Sequence, residues 1–190
     1  MTGTFRTSKT VSALDPSKPH VIFVGLAGSG KSTVGAMVAE RLGRTFLDFD
    51  VEIERREGMP ISRIFAERGE AEFRRLERKL TEEVRELGNM VLAPGGGWIM
   101  DQEGVGLLRP PAVLVYLRVR PETAIKRLAG SIAARPLLNR PDPVAEMQRM
   151  FEERRQLYQG AAIEIGAELI SAQQVTEQIV ERLASVSPPG

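Results

Sequence analysis

Gly25-Leu26-Ala27-Gly28-Ser29-Gly30-Lys31-Ser32-Thr33 is the stretch on which the reading of this 190-residue chain turns. It fits the pattern G-x-x-x-x-G-K-[ST], and its flanks supply the context that pattern needs. Residues 21–25 form a short β-branched apolar run, a candidate buried strand. Residues 31–42 follow with Val34, Val38, Ala39 and Leu42 at helical spacing. In a strand–loop–helix unit of this kind, glycines let successive backbone N–H groups turn inward, where the positive helix N-terminus adds to their pull on phosphate oxygens. Lys31 can neutralise the terminal phosphates, and the Ser32 hydroxyl is a hard oxygen ligand for Mg²⁺. Gly28, Ser29, Gly30, Lys31, Ser32 and Thr33 are therefore the candidate nucleotide-binding residues.

Outward from this loop, short apolar runs alternate with longer helical patterns, as in a parallel sheet flanked by helices. Strands are expected at 45–49, 91–93, 112–117 and 161–165, besides the first. Helices are expected at 51–57, 61–68, 70–87, from Pro121 onward, at 144–159 and at 175–184. In the long helix Phe73, Leu76, Leu80, Val84 and Leu87 make one apolar stripe. If consecutive strands are neighbours, the second lies beside the first. The expected whole is one α/β domain over 20–186, with a polar tail at 1–19, a loop at 131–142 and a frayed end at 187–190.

Composition bounds the partners. The 26 Lys+Arg against 25 Asp+Glu leave a formal charge of +1, without the basic excess of a nucleic-acid binder or the basic stripe of a lipid-surface binder. At 42% hydrophobic and 27% charged the chain can bury a full core. The absence of cysteine excludes disulfides, thiolate metal sites and cysteine nucleophiles, and a single histidine, His20, excludes the usual histidine-based zinc sites. No apolar run reaches the ~18 residues of a membrane helix, and no signal pattern opens the chain; a cytoplasmic protein is expected.

A phosphate loop does not name a reaction, because kinases, GTPases and motor ATPases share it. Neither Asn89 nor Asn139, the two asparagines, is followed by Lys, so the Asn-Lys-x-Asp element that reads guanine is missing. On the acceptor side, Asp48-Phe49-Asp50 closes the second strand. Strand alternation would aim both carboxylates one way, one toward Mg²⁺ and one toward a hydroxyl proton; alternatively, one simply caps the next helix. Glu70, Arg74 and Glu77 fall on one helix face, either as a solvated ladder of ion pairs or as carboxylates orienting a guanidinium toward an anion. Gly95-Gly96-Gly97 follows the third strand, as a turn or as a place where a ligand approaches bare backbone.

In order, these elements resemble the shikimate kinase family. The resemblance spans about 21–158 and rests on the phosphate loop, the Asp48/Asp50 pair, G-E-x-x-F-R-x-x-E at 69–77, Gly95–Gly97, Arg135-Pro136-Leu137-Leu138, and Arg154 four residues before Tyr158. It implies a three-layer αβα P-loop kinase fold with a five-stranded parallel sheet, a lid at 130–142 and a small acceptor-binding helical insertion at 48–78. It also implies a monomeric enzyme that moves the ATP γ-phosphate to the 3-hydroxyl of shikimate with Mg²⁺, in aromatic amino acid biosynthesis. Carried over by position, Asp50 would bind the acceptor hydroxyls and act as base. Arg74 and Arg154 would clamp the carboxylate, and Gly95, Gly96 and Gly97 would line the ring. Asp48 would act with Ser32 on Mg²⁺, Arg135 would reach the transferring phosphoryl, and Arg127 would pack on adenine. Two departures stand out: residues 171–174 lack the family's frequent adenine-side proline, and Pro94 and Trp98 flank the glycines, with Trp98 either in the core or shaping acceptor fit. Two other readings are a related kinase, such as one for gluconate, and a nucleotide-binding regulatory module without catalysis. The paired arginines with the triple glycine oppose the first, and the presence of Lys31, Asp50 and Arg135 opposes the second.

Overall fold

Every residue of the strands Val21–Val24 and Met90–Ala93 is buried, so both faces of the sheet centre are covered, as a parallel sheet requires. The computed structural model describes Asp15 and residues 18–109 and 111–186. The elements run β1 (Val21–Val24), α1 (Lys31–Leu42), β2 (Thr45–Asp48), α2 (Phe49–Glu57), α3 (Ile61–Arg85), β3 (Met90–Ala93), α4 (Gln102–Leu108), β4 (Val113–Arg118), α5 (Pro121–Leu128), α6 (Pro143–Gln159), β5 (Ile163–Gly166) and α7 (Ala172–Ser185). All four strand pairings are parallel and the sheet order is β2-β3-β1-β4-β5. The three-layer α/β architecture with five parallel strands is the one expected.

The expected placement of the second strand beside the first fails, and β3 and β4 are likewise separated by β1. β3, not β2, pairs with β1 on that side, with Val21 opposite Val91 and Ile22 opposite Leu92. The chain skips a position after β1 and returns to fill it with β3. As a result the Gly95–Gly97 turn emerges between the phosphate loop and the end of β2, all at the carboxyl edge where ligands bind in open parallel sheets.

Strand alternation was also the wrong basis for pairing Asp48 with Asp50. Asp48 ends β2 and caps α2, its Oδ1 accepting from the backbone N–H of Asp50 at 3.0 Å and of Val51 at 3.3 Å. The cap starts the helix at Phe49, so Asp50 belongs to the first helical turn. The two helices expected at 61–68 and 70–87 both lie within α3: the backbone leaves helical geometry at Gly69 (φ 80°, ψ 169°) between them, and the second ends at Arg85, leaving Leu87 beyond it. The short α4 was not expected. The loop at 131–142 holds a 3₁₀ turn at Ile132–Ala134, and Leu138, 2% exposed, anchors it to the core. Of the expected tail only Asp15, Lys18 and Pro19 are described; the Lys18 and Pro19 carbonyls accept from Asn89 N and Arg44 Nη1. The expected frayed end at 187–190 lies outside the described residues.

Trp98 proves to be core. It is 2% exposed, and its indole Nε1 donates to Thr81 Oγ1 at 2.9 Å, which gives the buried ring its one polar partner. His20 ties the end of α3 to the start of β3: Nε2 donates to Val84 O at 2.9 Å and Nδ1 accepts from Met90 N at 3.2 Å. That pattern needs the neutral ring, and burial lowers the His20 pKa from 6.5. The unfolded chain therefore binds this proton more readily, and stability drains as pH falls below about 6.5. His20→Leu is expected to cost about 1–3 kcal/mol near pH 8, where it orphans the Met90 N–H. The gap to the unmodified chain should narrow on acidification through that window. Urea unfolding at several pH values checks this; a gap that stays constant with pH would contradict it.

Candidate active site

The phosphate loop leaves β1 at Val24 and enters α1 at Lys31, and α1 has no side-chain cap on its first N–H groups. Uncapped N–H groups at a helix start, beside a lysine, make an anion site. Gly28 is fixed by close approach as well as by its φ of 81°: a Cβ there would stand 2.6 Å from Ala124 O, so the loop can seat against α5 only with a bare backbone. Lys31 Nζ is buried and donates to Gly25 O and Leu26 O, both at 3.0 Å. Burial lowers its pKa to about 8, with Asp50 and Asp48 holding it up and Arg135 and Arg154 pushing it further down. It stays cationic at neutral pH.

A cavity of about 300 Å³ lies over this loop, lined among others by Gly28, Gly30, Lys31, Ser32, Thr33 and Arg127. Ser29 is not on its wall; the residue is 1% exposed and its hydroxyl has no partner. Arg127 Nη2 donates to Ala167 O at 2.6 Å, tying α5 to the loop after β5. Ser32 Oγ donates to Asp48 Oδ2, so one carboxylate both caps α2 and meets the phosphate-loop hydroxyl. The capping reading of Asp48 holds, and the cap does not take its second oxygen away from the phosphate loop. A hydroxyl and a carboxylate oxygen side by side at the phosphate end suit Mg²⁺, which takes few protein ligands and completes its shell with phosphate and water.

A second cavity, of about 270 Å³, adjoins the first, and Asp50, Gly95, Gly96 and Arg135 line both. Asp50 Oδ1 is buried without a hydrogen-bond partner, and its pKa is raised, first by burial and then by Asp48. Arg135 follows the 3₁₀ turn of the expected lid, and its buried Nε also lacks a partner.

The far end of this second cavity is held by two arginines. Arg74 bonds Glu70 through Nη2 (2.9 Å) and Nε (3.3 Å), and Glu77 through Nη1. The triad is not a solvated ladder, because the Glu77 side chain is 3% exposed. Gly97 is what lets the guanidinium lie there: a Cβ at that residue would be 2.5 Å from Arg74 Nη2. Arg154, from α6, is 8% exposed and its Nη1 donates to Gly96 O at 3.2 Å. Its Nε is buried and unpartnered, and among the described residues no carboxylate lies within ion-pair distance. Tyr158 OH donates to the same Gly96 carbonyl at 2.9 Å, and its ring stacks on Tyr116 with centroids 5.0 Å apart. Sequence reasoning missed the wall formed by Glu54, Ile61, Phe65 and Phe73. Ile61 and Phe65, one helical turn apart, were the available signal.

All of the expected site residues except Ser29 thus meet around two joined cavities. The shikimate kinase family model matches residues 27–184. The chain belongs to the shikimate kinase family. It is 45% identical over 146 residues to the shikimate kinase of Burkholderia pseudomallei, covering 76% of this chain and 79% of that one. The structure of shikimate kinase from Acinetobacter baumannii in complex with shikimate superposes with a TM-score of 0.84 at 34% identity, covering 90% of this chain and 95% of that one. A gluconokinase from Sinorhizobium meliloti 1021 shares the fold at 16% identity, with a TM-score of 0.58 over 88% of this chain and 92% of that one. The family membership makes the chain an ATP-dependent kinase.

One consequence of the geometry concerns the glycine turn. Gly97→Ala should push the Arg74 guanidinium off the backbone and raise the acceptor KM about tenfold or more, the loss of roughly one charge-assisted hydrogen bond. Steady-state kinetics checks it; an unchanged KM in folded protein would show that Arg74 does not need that seat.

Proposed function

We propose that this chain transfers the γ-phosphoryl group of ATP to the 3-hydroxyl of shikimate, yielding shikimate 3-phosphate and ADP. The observation that carries this reading is Arg154, a buried guanidinium without a carboxylate partner, beside the glycine turn and across from Arg74. A buried charge without a partner is costly, and an acceptor bearing its own carboxylate removes that cost on binding. The cavity's small volume and the apolar wall of Ile61, Phe65 and Phe73 suit a compact carbocycle.

In this reading Arg74 and Arg154 take the acceptor carboxylate and the backbone of Gly95–Gly97 lies along the ring. Asp50, at the junction of the two cavities, receives the hydroxyl. Burial and Asp48 raise the basicity of Asp50, which suits it to accept the hydroxyl proton as the acceptor oxygen bonds to the γ-phosphorus and the β–γ bridging oxygen leaves. Lys31 and Arg135 supply positive charge to the transferring group, which is the main work of phosphoryl-transfer catalysis. Arg127, on the wall of the phosphate cavity, flanks the nucleotide base in this reading. Ser32 and Asp48 would hold Mg²⁺, which when bound neutralises phosphate charge. The lid at 131–142, anchored by Leu138, would exclude water. A monomer in a cytoplasmic setting, where ATP is plentiful, fits the same reading, and the near-zero net charge supports neither a nucleic acid nor a membrane partner.

An acceptor panel of shikimate and gluconate, with ATP and GTP as donors, tests the assignment. Turnover with shikimate and ATP is expected, and a folded protein without shikimate-dependent ADP release would sink it. Lys31→Ala should lower kcat about 10²–10³-fold through lost transition-state charge stabilisation. Arg154→Ala should act chiefly on the shikimate KM, about tenfold or more. Calorimetry showing unchanged shikimate affinity in Arg154→Ala would remove that residue from the clamp.

A further inference from the structure

We propose that Glu77 takes up a proton when the acceptor carboxylate docks on Arg74 and Arg154, so that acceptor binding is coupled to protonation of a carboxyl behind the clamp. The inference rests on the functional reading above and deepens it.

Glu77 projects from α3 into the region behind the clamp, and its two oxygens have different surroundings. Oε2 accepts from Arg74 Nη1, whereas Oε1 is buried with no side-chain partner and only the Gly95 backbone N–H beside it. Oε1 faces the glycine turn: a Cβ on Gly95 would lie 2.8 Å from it and 3.2 Å from Asp50 Oδ1, which has no hydrogen-bond partner among the described residues. Two acid oxygens from α3 and α2 therefore flank one point at the wall of the acceptor cavity.

The charges around Glu77 leave little to spare for another anion. On α3, Arg74 already serves Glu70 through Nη2 and Nε. From α6, Arg149 is bonded to Glu146 and Glu153, and beyond Trp98 the Asp101 carboxylate is bonded to Arg78. On the α2 side Asp50 is negative, with Lys31 beyond it. Among the described residues Arg154, Lys31 and Arg135 carry no ion-paired acid; Lys31 and Arg135 line the phosphate cavity, and the docking carboxylate uses Arg154. The acceptor thus becomes the third acid on the Arg74 guanidinium, on the side where Glu77 is 3% exposed.

A like charge arriving in such a setting favours the neutral form of the nearest carboxyl. Glu77 is poised for it: burial pushes its pKa up to about 7, against the opposing pull of Arg74. The direction of the coupling follows. If binding takes up a proton, affinity for the acceptor is greatest at low pH and falls as pH rises above about 7, by at most about tenfold per pH unit for one proton.

Isothermal titration of shikimate into the full chain near pH 7.5, in phosphate, HEPES and Tris, reads the proton directly, because the buffer's ionisation enthalpy enters in proportion to protons exchanged. The expected result is an observed enthalpy that varies with the buffer and corresponds to net uptake. Glu77→Gln, a neutral isostere that still accepts from Arg74, should abolish that uptake and flatten the rise of shikimate KM with pH. Binding with the same enthalpy in all three buffers would overturn the coupling while leaving the functional reading intact, as would uptake that persists undiminished in Glu77→Gln. Failure of shikimate to bind at all would overturn the functional reading, and the coupling with it.

Discussion

Keeping positive charge under cover in one cleft is the constraint around which this molecule is arranged. Lys31 and Arg154 are almost wholly buried, Arg74 is partly so, and the Arg135 Nε is out of contact with water. Each is held in a different way. Lys31 leans on the carbonyls of its own loop, Arg154 on the Gly96 carbonyl, and Arg74 on two glutamates. Carbonyl dipoles orient a cation without neutralising it, so the cleft retains net positive character for anionic ligands to complete. A chain charge of +1 therefore says little about the site, because 25 acids are spent mostly on surface ion pairs.

The strand order makes this arrangement possible. With β3 between β1 and β2, the glycine turn comes up in the middle of the carboxyl edge, flanked by the phosphate loop and by Asp48 and Asp50. Gly96 then accepts from both Arg154 and Tyr158 of α6, which fixes that helix to the sheet edge at the clamp. Asp48 performs the corresponding task on the other side, joining α2 to α1 through its own cap and Ser32. The donor and acceptor halves are thereby assembled from short polar links between elements whose apolar faces form the common core.

Much of this was legible in the chain, for identifiable reasons. The phosphate loop and α1 were read to the residue, because the motif's glycines and lysine fall at a strand-to-helix junction that leaves few alternatives. The order of strands was not, since adjacency of consecutive elements is a tendency and a crossover that skips one position leaves no local mark. The position of Asp50 was misplaced for a local reason: a capping aspartate begins the helix at Phe49, two residues before the start expected at 51. Helical spacing put Glu70, Arg74 and Glu77 on one face, yet only the packing of α3 against the glycine turn shows that Glu77 is buried and the triad is not a surface ladder. That Arg154 lacks an acid partner is likewise invisible in sequence, because it depends on what every other element brings near.

The central claim is that the paired guanidiniums in the acceptor cavity are there for a carboxylate. It is tested most directly by comparing, in one calorimetric experiment, the affinity of the intact chain for shikimate and for shikimate methyl ester, which keeps the ring and hydroxyls and removes the charge. Losing two charge-assisted contacts at a buried site should weaken the ester about a hundredfold or more. Equal affinity for acid and ester would contradict the account.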